Sequence, residues 1–332
     1  MQQKQRLIRS VLSFAPFLLG PMGCLAASQA SAGEWPNGQP ITVVVPFSAG
    51  GFTDMVARRF ANSLGAALKT TVVVQNKVGA SGQIGSSFVS REKPDGYTLL
   101  VTATQHVIYP ALQPSLPYNP KKDFSNIALL AYAPNVLLVP ATSPVSNLKE
   151  FSDHANRQAG GLAFGSSGVG GSAHLSGELF KLTAGVHLRH VPYKSAAPAV
   201  ADLIGARIPS AFLDASSAAA FIRSGELKAI AVTSKERLPT LPSVPTIAES
   251  GYPNYESQAW VGLFGPAGMP PAMVSKLNGI ALESNADPTT TKWFMDNNAM
   301  PARLTPPQVA EFVNTELDKW QQVVSTSQIA AQ

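Results

Sequence analysis

Cysteine is nearly absent from this chain: Cys24 is the only one in 332 residues, so no internal disulfide can form and no pair of thiolates can hold a metal. Charge is sparse too. At 14% charged and 45% hydrophobic residues, the composition is that of a compact globular protein and not of a disordered one. The five histidines, His106, His154, His174, His187 and His190, show no HExxH or comparable ligand spacing, and His187 and His190 fall on opposite faces of an expected strand. No metal and no other cofactor is expected. No Gly-Lys-Ser/Thr follows a Gly-rich stretch, which excludes a phosphate-binding P-loop, and no Gly-x-Ser-x-Gly elbow surrounds Ser166 or Ser167. Gly168-x-Gly170-x-x-Ala173 fits a loose dinucleotide fingerprint, but Arg189 and His190 stand where an acidic residue would have to meet a ribose.

A membrane-spanning run is missing as well. The apolar stretch 11–19 follows Lys4, Arg6 and Arg9, is broken by Pro16, Gly20 and Pro21, and is shorter than a bilayer requires. It leads to Ala30-Ser31-Ala32, so residues 1–32 read as a secretory signal peptide cleaved after Ala32. Lipidation at Cys24 is the second alternative, because Pro21-Met22-Gly23 makes a poor lipobox. Cleavage removes three of the 25 Lys and Arg and none of the 20 Asp and Glu, lowering the net charge from +5 to +2. That is too little for nucleic acid or an anionic membrane surface. The lone cysteine leaves with the leader, and the exported chain must rely on packing.

What remains is rich in strand, glycine loop and helix signals. In VVVPFSAGGFTD (43–54) a β-branched run ends at a proline, a glycine pair follows, and Thr53 and Asp54 open a helix with Val56, Phe60, Leu64 and Leu68 on one face. Loop amides and a helix dipole then point to one spot, which suits an anion; the same loop also suits a plain turn that needs glycine for its φ angles. Strands at 71–74 and 97–101 complete a right-handed βαβ series. The polar cluster Thr102, Thr104, Gln105 and His106 stands at a strand's carboxyl end, where open α/β sheets bind ligands. A second series starts after an apolar crossing run at 135–139, with strand 162–164, a loop of small residues at 165–172 and a helix carrying Leu175, Leu179 and Leu182. Strands at 187–193, 208–213 and 227–233 follow, then a return strand at 260–264 and three tail helices.

Two carboxylates, Asp54 and Asp214, sit just after strand ends. Each can cap a helix N-terminus, or accept a hydrogen bond from a hydroxyl, amide or ammonium group of a solute. Neither Gly-rich loop, 47–54 or 165–172, holds a Lys or Arg, so an anion there must be met by backbone N–H groups, hydroxyls and dipoles.

Seven blocks in order carry a family resemblance: PFSAGGFTD at Pro46, NKVGASGQIG at Asn76, PDGYTLL at Pro94, FGSSGVGGSAHLSGELF at Phe164, HVPYKSAAPAVADLIGA at His190, AVTSKERLPTLPSVPT at Ala231 and GLFGPAGMPP at Gly262. The mature chain resembles the periplasmic solute receptors of tripartite tricarboxylate transporters, the Bug receptors, nearly end to end. The resemblance implies an α/β fold of the two-lobed type II, Venus-flytrap architecture with a ligand cleft between lobes. It implies a non-enzyme that captures a small organic acid or related polar solute and hands it to a membrane permease. It also implies that the solute is held at Phe47, Ser48, Ala49, Gly50, Gly51 and Asp54 on one lobe, at Ser166, Ser167 and Gly168 on the other, and near Gln105 and Asp214. Gln105 stands where Thr is common in the family, Ser195 and Ala206 replace Gly, and Pro209 takes a position that is usually Asp.

The lobes are expected to be discontinuous, with 33–134 and 257–332 in one and 135–256 in the other, and the receptor to be a monomer. Two alternatives stay open: an exported hydrolase using Ser167, and a ligand sensor for a membrane signalling partner. N-terminal sequencing of the exported protein is expected to begin at Gly33; a start at a lipid-bearing Cys24 would contradict the cleavage assignment.

Overall fold

The computed structural model describes residues 35–113 and 115–329; the leader, with the cleavage site after Ala32 and the alternative anchor at Cys24, lies outside the described residues. β1 (Ile41–Val45) is β-branched at every position and almost wholly buried, as a parallel strand between helical layers must be. It pairs in parallel with β2 (Val72–Asn76) and β3 (Thr98–Ala103). Between β1 and β2 runs α1 (Phe52–Leu68), which buries Val56, Phe60 and Leu64, the face that the four-residue spacing marks; α2 (Gln83–Val89) joins β2 to β3.

β4 (Phe124–Pro140) organises the rest. Its 17 residues first pair antiparallel with β9 (Gln258–Pro266) and, from Asn135 on, with β7 (Ser210–Asp214) and β8 (Leu227–Val232). The expected crossing strand begins only at 135, whereas β4 starts at Phe124. Register shifts between Asn126 and Ala128 and between Leu129 and Ala131 break the alternation by which that first half would announce itself. At the point where pairing changes, Asn135 is fully buried. Its N–H donates to Thr233 Oγ1 at 2.9 Å and its side chain donates to Ser176 Oγ at 3.0 Å, which lies 2.7 Å from Ser257 Oγ.

The second half repeats the first in outline. β5 (Leu162–Ser166), α5 (Ser172–Ala184), β6 (Leu188–Pro192), α6 (Ala196–Ile204), β7 and α7 (Ala215–Arg223) form parallel βα units, preceded by α4 (Leu148–Asn156). The sheet order is β2-β1-β3-β9-β4-β7-β5-β6, with β8 and the short β10 (Met300–Pro301) also on β4. Each half has its own core, around Phe60, Leu99, Ile127 and Leu263 in one and around Phe151, Phe164, Phe180 and Phe212 in the other. The architecture is therefore two-lobed. Ala206 adopts φ 51°, a left-handed conformation that a side chain makes costly.

Of the tail helices, α8 (Pro271–Ala286) packs on β4 and α1, and α9 (Pro288–Asp296) follows it. α10 (Pro306–Ser327) packs on β4 and on α3 (Gln105–Leu112), with Val309, Val313, Trp320 and Val324 in one cluster with Trp260 and Phe264. Leu175 of α5 joins that cluster. Two helices escape the sequence patterns. α3 contains Pro110, and α4 is short, although its Asn147 cap, which accepts the Glu150 N–H at 2.9 Å, is a recognisable start signal.

Candidate functional site

Two strand-to-helix loops, one in each half, have the same construction. Ser48-Ala49-Gly50-Gly51 leads into α1, and Gly168-Val169-Gly170-Gly171 leads into α5. Gly50 and Gly170 have φ of 81° and 73°, where a side chain would be strained. The glycine after each is extended, with φ −73° and ψ 164° at Gly51 and φ −75° and ψ 162° at Gly171. Gly51 N–H reaches Ser48 O, and Gly171 N–H reaches Gly168 O, both at 3.4 Å. Four residues on, a side chain accepts the N–H of the first glycine: Asp54 Oδ2 from Gly50 at 2.9 Å, and His174 Nδ1 from Gly170 at 3.0 Å. Neither helix has a side-chain cap, so the amides of their first turns stay open; α5 has no acidic residue in its first turn, whereas α1 carries Asp54 there.

Asp54 holds the first loop together. It is 1% exposed, and both oxygens are engaged: Oδ2 by Gly50 N–H and by Arg58 Nε, each at 2.9 Å, and Oδ1 by Asn76 Nδ2 at 2.9 Å. The Asn76 amide also donates to Phe47 O at 2.9 Å. Burial pushes the Asp54 carboxyl up, but the hydrogen bonds from Arg58, Gly50 and Asn76 outweigh it and hold the group below the usual carboxylate range. A solute would find this carboxylate already occupied.

The loops border a cavity of about 210 Å³. It is lined by Phe47, by Phe52 and Thr53 at the start of α1, by Thr104 and Gln105 at the start of α3, by Ser172 at the start of α5, and by Asp214 and Ser216 at the start of α7. Ala103, Ala133, Ala259, Trp260, Val261 and Asn297 complete the wall. Four helix N-termini thus meet at one cavity, and among the described residues that line it there is no Lys, Arg or His. A larger depression of about 590 Å³ lies between α3 and α10, lined by Pro110, Pro117, Pro120 and Lys121 among others. It is more open, and no helix N-terminus faces it.

The four ends are not equivalent. Asp214 caps α7: its Oδ2 accepts from Ser217 N–H at 3.0 Å, from Ser216 Oγ at 2.9 Å and from Ser217 Oγ. Its Oδ1 has no donor among the described residues, and Asp214 lines the cavity. The Thr104 hydroxyl accepts Trp260 N–H at 2.9 Å, which ties α3 to β9. The starts of α1 and α5 remain uncapped.

Of the residues that the sequence points to, Phe47, Gln105 and Asp214 line the cavity. Ser48, Ala49, Gly50 and Gly51 form the loop behind Phe52 and Thr53, and Asp54 lies beneath it. Ser166 is fully buried, with Oγ 2.7 Å from His190 Nε2 and 3.2 Å from both the N and the O of Gly168; Ser167 and Gly168 continue into the second loop. A histidine therefore reaches Ser166, not the Ser167 that a hydrolase would use, and the serine it reaches is closed to substrate. His106, expected in the polar cluster at the mouth of β3, instead points away from the cavity into a cage of Tyr118, Phe124 and Phe264. Burial there lowers its pKa to about 3. Thr53 and Ser172 were not among the expected site residues, although each is the first polar residue past a glycine pair. Ser216, Trp260 and Asn297 reach the cavity through tertiary packing that no local pattern announces.

Parallel βα units in two lobes, joined through a shared antiparallel strand and opening helix N-termini onto one cavity, define a solute-binding receptor of the periplasmic-binding-protein class. Residues 56–329 match the tripartite tricarboxylate transporter family receptor, and the chain belongs to that family. Among solved structures, Rpa4515 of R. palustris, solved with adipate, is 33% identical with a TM-score of 0.73, over 89% of this chain and 99% of that one. MatC of Rhodopseudomonas palustris, with bound malate, is 32% identical with a TM-score of 0.69, over 86% and 98%. The periplasmic binding protein BugD is 34% identical with a TM-score of 0.69, over 88% and 99%. The family is one of receptors, not enzymes.

Asp54→Ala is expected to lower stability to urea by about 2–3 kcal/mol, because it strands the Gly50 and Asn76 donors, while the half-exposed Arg58 adds little. The same contribution should be intact above about pH 4 and fade as pH falls through the lowered folded value. A loss below about 0.5 kcal/mol would show that the loop is held by other means.

Proposed function

We propose that this chain is an exported receptor that closes two lobes, residues 33–134 with 257–332 and residues 135–256, on a small carboxylate and presents it to a membrane permease of the tripartite tricarboxylate type. Its leader is cleaved after Ala32, and the receptor works as a monomer. The observation that carries this reading is the pair of matched loops, each delivering an uncapped helix N-terminus to a cavity without a cationic side chain. Such ends attract anions through open N–H groups and the aligned dipole, each contribution being on the order of 1 kcal/mol in a partly buried site. Several together, with water excluded on closure, suffice for micromolar binding, which corresponds to about −8 kcal/mol.

The relatives solved with adipate and malate support a dicarboxylate as the solute. One carboxylate fits the amides that follow Gly51 and Gly171, with the loops Phe47 to Gly51 and Ser166 to Gly168 shaping the approach. Asp214 repels a bare carboxylate brought against it, so its spare Oδ1 selects a hydroxyl, ammonium or protonated group elsewhere on the solute. Gln105, with both donor and acceptor, sets that end's preference.

Ser172 offers a clean test because it is the first residue of α5, where proline is tolerated, and Gly171 before it already has the extended backbone that proline demands. Ser172→Pro removes the first open amide together with the hydroxyl; Ser172→Ala removes the hydroxyl only. Calorimetry with malate and adipate should show Ser172→Pro at least about tenfold weaker than Ser172→Ala, the equivalent of a lost charge-assisted hydrogen bond. Equal affinities would remove the α5 amide from the site, and binding by neither acid would contradict the dicarboxylate assignment.

A further inference from the structure

We infer that Ala103, Ala133 and Ala259 are specificity-determining residues: their methyl groups form an apolar floor in the cavity that receives the unsubstituted methylene stem of an aliphatic dicarboxylate. The inference deepens the proposed anion site and rests on it, because the open amides fix where a carboxylate sits and the floor then decides what carbon chain can follow.

The three alanines lie on one face of the sheet. Ala103 of β3 stands opposite Val261 of β9, Val261 stands opposite Ala131 of β4, and Ala259 stands opposite Ala133. Cross-strand partners share a face, as do residues two apart along a strand. On that face Val261 and Ala131 belong to the core cluster built with Val56 and Phe60 of α1 and Leu277 of α8. The alternate residues, Tyr132 and Trp260, pack in the cluster of α10 instead. Val261 and Ala131 are buried, whereas Ala103, Ala133 and Ala259 are only half-buried and line the cavity. The core face of the sheet thus continues into the cavity as a patch of methyl groups.

This patch offers no hydrogen-bonding group of its own. The main-chain groups of paired strands bond to one another in the plane of the sheet, and the Trp260 N–H is met by Thr104 Oγ1 at 2.9 Å. Phe47 and Phe52 line the same cavity, and both pack against the same core cluster. Phe52 is held by a stack on Trp293 of α9, with ring centroids 6.5 Å apart and planes 5° from parallel. Polar groups stand at the ends of the floor. Gln105 follows Ala103 by two residues, and Ala133 leads by two to Asn135, whose strand partner is Asp214. A carbon chain laid across the floor buries methylenes against methyl groups. A hydroxyl in the middle of that chain loses water and gains no partner; it is accommodated only past the floor, at Gln105 or Asp214.

Each methylene so buried strengthens binding about fourfold. Succinate and adipate carry the same two carboxylates and differ by two methylenes, so calorimetry on the receptor should find adipate about tenfold tighter than succinate. Ala133→Ser and Ala259→Ser each add a single oxygen and set a hydroxyl on the floor, and each should lower that ratio by about threefold. Equal affinities for the two acids in the unaltered receptor, or a ratio that neither serine variant lowers, would overturn the floor and leave the anion site standing. Binding of neither acid would remove the proposed function and the floor with it. If one serine variant fails to fold, the other variant and the unaltered ratio decide.

Discussion

A glycine N–H held by the side chain four residues further on is the contact on which the site depends. It appears twice, at Gly50 with Asp54 and at Gly170 with His174, and each time it fixes a left-handed glycine so that the following helix starts without a cap. An uncapped helix start is ordinarily a deficit of satisfied amides. Here the deficit is arranged to face a cavity, where a solute can supply the acceptors. α7 shows the contrast. Its own Asp214 accepts the Ser217 N–H and places a carboxylate at that end, which disfavours an anion there.

The sheet makes this convergence possible. Because β4 pairs with β9 in its first part and with β7 and β8 in its second, the carboxyl ends of β1 and β3 and those of β5 and β7 face one another across the same cavity. The place where β4 changes partners is fastened by Asn135, Thr233, Ser176 and Ser257. A buried polar group there is costly unless hydrogen-bonded, and hydrogen bonds specify geometry in a way that apolar contacts at a crossing do not. The tail helices pack on α1, α3 and β4, with Trp320 fully buried beside Trp260.

Much of this was legible in the residues because it is local. The β-branched run before Pro46, the glycine pairs and the four-residue spacing of Val56, Phe60 and Leu64 name β1, its loop and α1 without further help, and the small-residue loop before Ser172 does the same for the second lobe. The first half of β4 was not legible, since its register shifts erase the period of two. Asp54 was placed at the right helix start, but its direction was not, because whether a carboxylate turns to its own loop or to a solute depends on Arg58 and on Asn76 of a neighbouring strand. The pairing of His174 with His190 was hidden for a similar reason: 16 positions of helix and turn separate them in sequence, and only the parallel pairing of β5 with β6 brings the rings together.

The central claim is that the anion is held by main-chain amides from both lobes and by no cationic side chain. A crystal structure of the receptor with malate or adipate tests it most directly. Carboxylate oxygens are predicted at about 2.7–3.2 Å from amides of Phe52 or Thr53 in one lobe and of Ser172 or Ala173 in the other. A solute carboxylate held by Lys or Arg side chains, or seated in the depression between α3 and α10, would contradict it.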